Sequence, residues 1–125
     1  MTFSQVTKDI LVYPGVGGYN FTASGNIIKG QGVTYAGDNS VKVPNNTTSR
    51  LLGIANATVD HGDVICIYGP GNIVYCKLSG SQSAGTKVGL ISEGYLSNLA
   101  LYAPSEQAIV VEGVNSTGNG AILIL

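Results

Sequence analysis

Charged residues are scarce in this sequence of 125 residues. Lys and Arg number 6, Asp and Glu number 7, and together they make up 10% of the chain, whereas a soluble domain usually carries about 25%. The net charge is −1, and the sequence has no cluster of Lys and Arg that would bind a phosphate backbone. This argues against a nucleic-acid partner. Asn, Ser, Thr and 18 Gly residues must make the surface polar. A surface so close to neutral favours association with other proteins.

Residues that carry catalytic chemistry are also few. The chain has a single histidine, His61, and no tryptophan, and its acidic residues are dispersed along the sequence. Asp60, His61 and Asp63 would hold a divalent ion poorly, because three ligands within four residues of a turn cannot surround it. No nucleophile, base and orienting group can be assembled from these residues. The sequence predicts no enzyme, no catalytic residue, no cofactor and no metal site.

Long apolar runs are missing as well. No stretch approaches the 18 apolar residues of a membrane span, and residues 1–9 are polar where a secretory signal would be apolar. We expect synthesis in the cytoplasm and no membrane partner. A chain of this length fits one domain.

Helical periodicity is almost absent, and short runs of Val, Ile, Thr and Tyr alternate with Gly, Asn, Asp and Pro clusters. This spacing is typical of a sandwich or barrel. It predicts an all-β, compact single-domain body of about ten short strands, at Asn26–Ile28, Val33–Tyr35, Ser40–Val43, Leu51–Thr58, Asp63–Tyr68, Ile73–Leu78, Lys87–Leu90, Tyr95–Leu99, Ala108–Val114 and Ala121–Leu125. A short helical turn competes with the strand that begins at Tyr95, because Leu96, Leu99 and Ala100 have helical spacing.

Two apolar runs that flank Gly69-Pro-Gly-Asn72 form the clearest local pattern. Turn residues between two such runs predict a β-hairpin over 62–78. Cys66 and Cys76 would face each other in one register of that hairpin and not in the next. The sequence is therefore compatible with two reduced thiols and with a disulfide between the two strands.

The N-terminal residues differ from the rest. Residues 1–13 are interpreted as an extended N-terminal arm and residues 14–125 as the β-rich domain, because Pro14 and the glycines after it interrupt the pattern. The alternative is that the segment is the first strand of the body. Ala121–Leu125 is too apolar to lie free in water, so we expect a core strand there.

Several glycine-based motifs recur from about residue 25 onward. They are Gly30-Gln-Gly-Val33, Leu52-Gly-Ile-Ala55, Gly62-Asp-Val-Ile65, Gly85-Thr-Lys-Val88, and Val110-Val-Glu-Gly-Val114 followed by Ala121-Ile-Leu-Ile124. With these motifs the sequence resembles the small capsid decoration, or cement, proteins of tailed phages and related viruses. The family contains head-stabilising proteins with a β-tulip-like body.

The resemblance implies a virion protein on the outer capsid surface, a homotrimer at local three-fold sites whose partner is the major capsid protein. An arm that orders on docking would add strand pairs to the capsid protein. The arm residues expected to make this contact are Thr2, Phe3, Ser4, Gln5, Val6, Thr7, Ile10, Val12 and Tyr13.

A second interpretation is a carbohydrate- or host-binding β-module of a virion fibre or surface domain. Its 7 tyrosines would then serve as stacking surfaces. Exposed tyrosines aligned on one face would favour this interpretation over a purely structural role.

Overall fold

The computed structural model describes residues 5–6, 10–13, 17–45, 50–80, 82–98, 107–113 and 118–125. The described part of the chain is all-β, as predicted, with one 3-10 turn at Ser92–Gly94. No helix in that part is long and apolar enough to cross a membrane. The strands are β1 (Leu11–Tyr13), β2 (Gly18–Ala23), β3 (Gly32–Gly37), β4 (Ser40–Lys42), β5 (Gly53–Ala55), β6 (Val64–Tyr68), β7 (Ile73–Lys77), β8 (Lys87–Leu90), β9 (Leu96–Ser97), β10 (Ala108–Glu112) and β11 (Asn119–Ile124).

Five strands form a closed barrel in the order β2-β4-β3-β5-β6. Strand β2 completes the ring, because it pairs in parallel with β4 and antiparallel with β6. Side chains alternate across a strand, so Val33, Ile65 and Ile67 turn inward and form the barrel core with Ala23, Ile27, Val41 and Ala55.

The other strands form a six-stranded sheet in the order β1-β7-β11-β10-β8-β9. Strand β11 lies in the middle, paired with β7 and β10, which confirms the core strand predicted for the apolar C-terminal residues. The sheet core contains Val74, Val88 and Ile122, and Ile54 and Tyr68 of the barrel pack against it. The two regions are thus joined through the outer face of β5 and β6.

The predicted hairpin over 62–78 is wrong. Strand β6 pairs with β2 and β5 in the barrel, and β7 pairs with β1 and β11 in the sheet. The turn between them passes the chain from one region to the other. Both strands are apolar on both faces, so each can lie within its own core, and Cys66 and Cys76 therefore occupy different sheets as free thiols.

Most of the predicted strands are found, with changed lengths. Strand β8 has the predicted bounds, the strand predicted over Leu51–Thr58 is confined to Gly53–Ala55, and Asn26–Ile28 has a single bridge, between Ile27 and Val59. Strand β2 was not predicted. Near Tyr95 the chain forms the strand Leu96–Ser97 rather than a helix, while residues 99–100 lie outside the described residues.

Three buried amide side chains connect the segments that join barrel and sheet. Gln31 Nε2, just before β3, donates to Glu93 O at 2.9 Å. Gln107 Oε1, before β10, accepts from Leu51 N at 2.8 Å, and Asn72 Nδ2 donates to Gly17 O at 2.9 Å and Gly69 O at 3.0 Å. Buried amides need such partners, because an unpaired polar group costs free energy.

Candidate functional site

One open end of the barrel forms a concave apolar site. This barrel mouth is lined by Tyr19, Phe21, Tyr35, Leu52, Ile67 and Pro70, with Gly69 at its edge, and encloses a cavity of about 280 Å³. Tyr19 and Phe21 are two residues apart on β2 and therefore share its inward face. The mouth is built on paired strands and the turn after β6, which makes it a preformed feature of the fold.

The two tyrosines of the mouth are among the most exposed large side chains of the described residues. Tyr19 is 59% exposed and Tyr35 is 60% exposed. Phe21 packs partly against the barrel core, and its ring meets that of Tyr35 edge to face, with centroids 6.1 Å apart and an interplanar angle of 88°. This contact orients Tyr35 while leaving much of its ring in solvent.

Polar groups lie beside the mouth rather than within it. A depression on one side of Tyr35 is lined by Gly37, Asp38 and Asn39. Another depression, of about 410 Å³, shares Tyr35, Leu52 and Pro70 with the mouth, and its other lining residues are Thr34, Arg50, Leu51 and Leu125. Tyr35 therefore lies between an apolar cavity and two surfaces that carry hydrogen-bonding side chains.

The turn that contains His61 uses its polar groups in local hydrogen bonds. Gly25 N donates to His61 Nδ1 at 2.8 Å, His61 N donates to Asn26 Oδ1 at 3.0 Å, and Asp60 N donates to Asp63 Oδ2 at 3.1 Å. Among the described residues, no three or more His, Cys, Asp or Glu side chains are grouped to hold a metal ion. These bonds fasten the turn before β6 to the turn after β2.

Burial shifts the pKa of three groups. It raises the pKa of the Cys66 thiol and that of the fully buried Cys76 thiol, because a thiolate loses solvation in an apolar environment. It also raises the pKa of the Tyr95 phenol, and the nearby Glu93 carboxylate adds to that rise. A raised thiol pKa means little thiolate at neutral pH, so neither cysteine has the features of a nucleophile.

The residues predicted to contact a capsid fall into four groups. Thr2, Phe3, Ser4 and Thr7 lie outside the described residues. Val6 and Ile10 are fully buried in the sheet core, whereas Gln5 is exposed.

Val12 and Tyr13 belong to β1, which pairs with β7 at the edge of the sheet. Val6 N also donates to Lys29 O at 3.1 Å. The described part of residues 1–13 therefore packs against the body, through Val6, Ile10 and β1. A contact between this segment and a capsid stays a prediction.

The barrel mouth was not predicted as a site. Its only signal in the sequence is the spacing Tyr19-Asn-Phe21, which places two aromatic rings on one face if the segment is a strand. Tyr35 comes from a separate strand, so only the barrel closure brings the three rings together. No family model matches this chain, and a comparison with curated proteins finds no match.

Proposed function

We propose that this chain is a viral capsid decoration protein. It binds the outer surface of the assembled head as a homotrimer at local three-fold sites, and it stabilises the shell by adding contacts between capsid subunits. The major capsid protein is its partner, and the action is interfacial rather than catalytic.

The observation that carries this proposal is a surface poor in charge with large apolar side chains exposed outside the barrel mouth. Three such side chains stay exposed in the described part of the chain: Val64 on the outer face of the barrel (67% exposed), Val111 on β10 (41%) and Leu125 after β11 (51%). Protein interfaces are depleted in charged residues at their centres, and exposed apolar side chains gain free energy when a partner covers them.

The positions of the sequence motifs also support the proposal. The Leu52-Gly-Ile-Ala55 motif contains β5, Gly62-Asp-Val-Ile65 leads into β6, and Gly85-Thr-Lys-Val88 leads into β8. Glycines at these strand starts are what a body of short strands and tight turns requires.

The stabilising effect follows from repetition. A standard interface buries roughly 1,600 Å², and a trimer that contacts several capsid subunits at once gains affinity because each bound chain raises the local concentration of the next. We expect the contact to use Gln5, the residues before it and the edge of β1 that no described strand pairs with, since Val6 and Ile10 already lie in the core.

Two measurements test the proposal. Sedimentation equilibrium should give the mass of three chains, and the purified protein should co-sediment with expanded heads that lack it, and not with unexpanded heads. A monomer that binds neither form would overturn the proposal.

The N-terminal contact needs a separate variant. Deletion of residues 2–4 should weaken head binding about tenfold or more, whereas removal of residues 2–12 would also remove Val6 and Ile10 from the core. Circular dichroism and an unfolding curve identical to those of the full chain are the required control. Unchanged head binding by the 2–4 deletion would exclude these residues as the contact.

A further inference from the structure

The lining of the barrel mouth selects for an uncharged ligand. The six side chains that line it are aromatic, aliphatic or proline, so none of the described lining residues brings an ionic group to the cavity. The polar atoms that the side chains bring are the phenol hydroxyls of Tyr19 and Tyr35. A charged ligand would lose hydration here and gain no counter-charge.

The surroundings of the mouth add a second requirement. Asp38 and Asn39 on one side of Tyr35, and Arg50 and Thr34 on the other, offer hydrogen-bond donors and acceptors just outside the apolar cavity. Small-molecule sites have this composition, an apolar lining with a few polar groups that fix orientation. The ligand that uses both features has a flat apolar face and hydroxyl groups around its edge.

We propose that the barrel mouth binds a neutral pyranose sugar, with the C–H face of one ring against Tyr35 and Tyr19. The hydroxyls at the ring edge then reach the polar side chains on either side of Tyr35. A cavity of about 280 Å³ lies at the low end of the usual range for ligand pockets, which suits one sugar ring in the mouth and further rings outside it.

The edge-to-face contact between Phe21 and Tyr35 prepares this site. Because Phe21 is anchored at the barrel core, it limits the rotation of the Tyr35 ring before a ligand arrives. An aromatic ring that is already oriented loses less conformational entropy on binding. Among the described residues, neither Val64 nor the N-terminal segment lines the mouth, so the sugar site is separate from those capsid contacts. It adjoins the exposed Leu125, which lines the depression that contains Arg50.

Saturation-transfer NMR with a panel of neutral disaccharides tests the proposal. The probes are maltose, cellobiose, lactose and N,N′-diacetylchitobiose. At least one of them should receive saturation at its ring C–H protons and shift the amide signals of Tyr19, Phe21 and Tyr35, with a dissociation constant on the order of 1 mM.

Three variants distinguish the mouth from the remaining surface. Tyr35→Ala should weaken binding of the responding sugar about tenfold, and Tyr35→Phe should weaken it less because the ring is kept. Val64→Ala, on the outer face of the same barrel, is the matched control and should bind as the unmodified protein does. Amide spectra of all three should retain the dispersion of the folded chain.

Other outcomes would overturn the sugar site. The proposal fails if no probe shifts the mouth signals at 20-fold excess over the expected dissociation constant, or if Tyr35→Ala binds sugar normally. If instead Tyr35→Ala loses self-association or head binding while no sugar binds, the mouth is a docking site for a protein side chain. Because head binding is measured separately, failure of the sugar site leaves the decoration proposal standing.

Discussion

The barrel and the six-stranded sheet protect their apolar residues in different ways. Each barrel strand has a paired neighbour on both sides, and the core side chains lie inside the ring. The sheet packs its core against side chains from other segments, among them Val6, Ile10 and Ile54. The barrel is therefore closed by backbone pairing, whereas the sheet depends on the N-terminal segment and on the outer face of the barrel.

This difference also decides where a ligand site can form. A ring of five short strands has open ends, and at one of them Tyr19 and Tyr35 extend past the buried core into solvent. The sheet core has Leu51, Val6 and Ile10 packed over it. The concave site consequently belongs to the barrel, and the N-terminal segment serves the stability of the sheet.

The largest effect should come from breaking the connection between the two regions at Asn72. Asn72→Ala removes an amide that bonds Gly17 N, Gly17 O and Gly69 O. Gly17 N and Gly17 O lose this partner, whereas Gly69 O keeps a hydrogen bond from the backbone N of residue 72 at 3.4 Å. The Asn72 side chain that is removed is fully buried. We expect the free energy of unfolding to fall by about 2–4 kcal/mol, measured by urea denaturation followed by circular dichroism.

A second asparagine provides the control. Asn98 is exposed and accepts a 3.3 Å hydrogen bond from Gln82 Nε2, which also donates to Ser79 O. Asn98→Ala should lower the free energy of unfolding by less than about 1 kcal/mol. Equal losses for the two variants would contradict a special role of Asn72 at the turn between barrel and sheet.

The next largest effect should come from the contact between Gly30 and the N-terminal segment. Gly30 has φ +97°, and a Cβ added to it would overlap Val6 Cγ2. Gly25 has a similar φ of +101°, but a Cβ added to Gly25 would have no atom within 4 Å. Gly25→Ala should cost about 1 kcal/mol of unfolding free energy from the positive φ alone. Gly30→Ala should cost about 2–3 kcal/mol, since displacement of Val6 is added.

The double variant Gly30→Ala/Val6→Ala tests why Gly30→Ala should be more destabilising than Gly25→Ala. If the extra loss at Gly30 comes from Val6, the Gly30→Ala substitution should cost less in the Val6→Ala background. A Gly30→Ala variant that is no less stable than Gly25→Ala would show that the N-terminal segment does not pack on the body in solution.

Local patterns predicted strands and failed to predict their partners. Lys87–Leu90 and the apolar C-terminal strand were recognisable because β-branched residues between turn residues favour extended backbone whatever the neighbour is. The run Gly69-Pro-Gly-Asn72 signals a turn equally well, yet a turn does not determine whether its two strands pair. Here the Asn72 side chain holds the turn to Gly17, through hydrogen bonds that span 55 residues and that no local pattern indicates.

The candidate site could not be predicted from the sequence either, because it also depends on which strands pair. Tyr19 and Phe21 belong to a strand that follows several glycines and was not predicted, and Tyr35 reaches them only through the barrel. Gln31 and Gln107 are buried at the connections between barrel and sheet, although glutamine is mostly a surface residue. Long-range pairing, rather than local propensity, places these side chains.

The smallest effect concerns the cysteines, and it tests the separation of β6 from β7 directly. Burial raises the pKa of both thiols, so less thiolate is present at a given pH and alkylation is slow. At pH 8, iodoacetamide should modify the half-buried Cys66 several-fold more slowly than it modifies a cysteine peptide. The rate at Cys66 should keep rising above pH 9. Cys76 should be modified only in urea. Mass spectrometry after diamide treatment should find no disulfide between them; rapid formation of that disulfide would mean that the two strands pair as a hairpin after all.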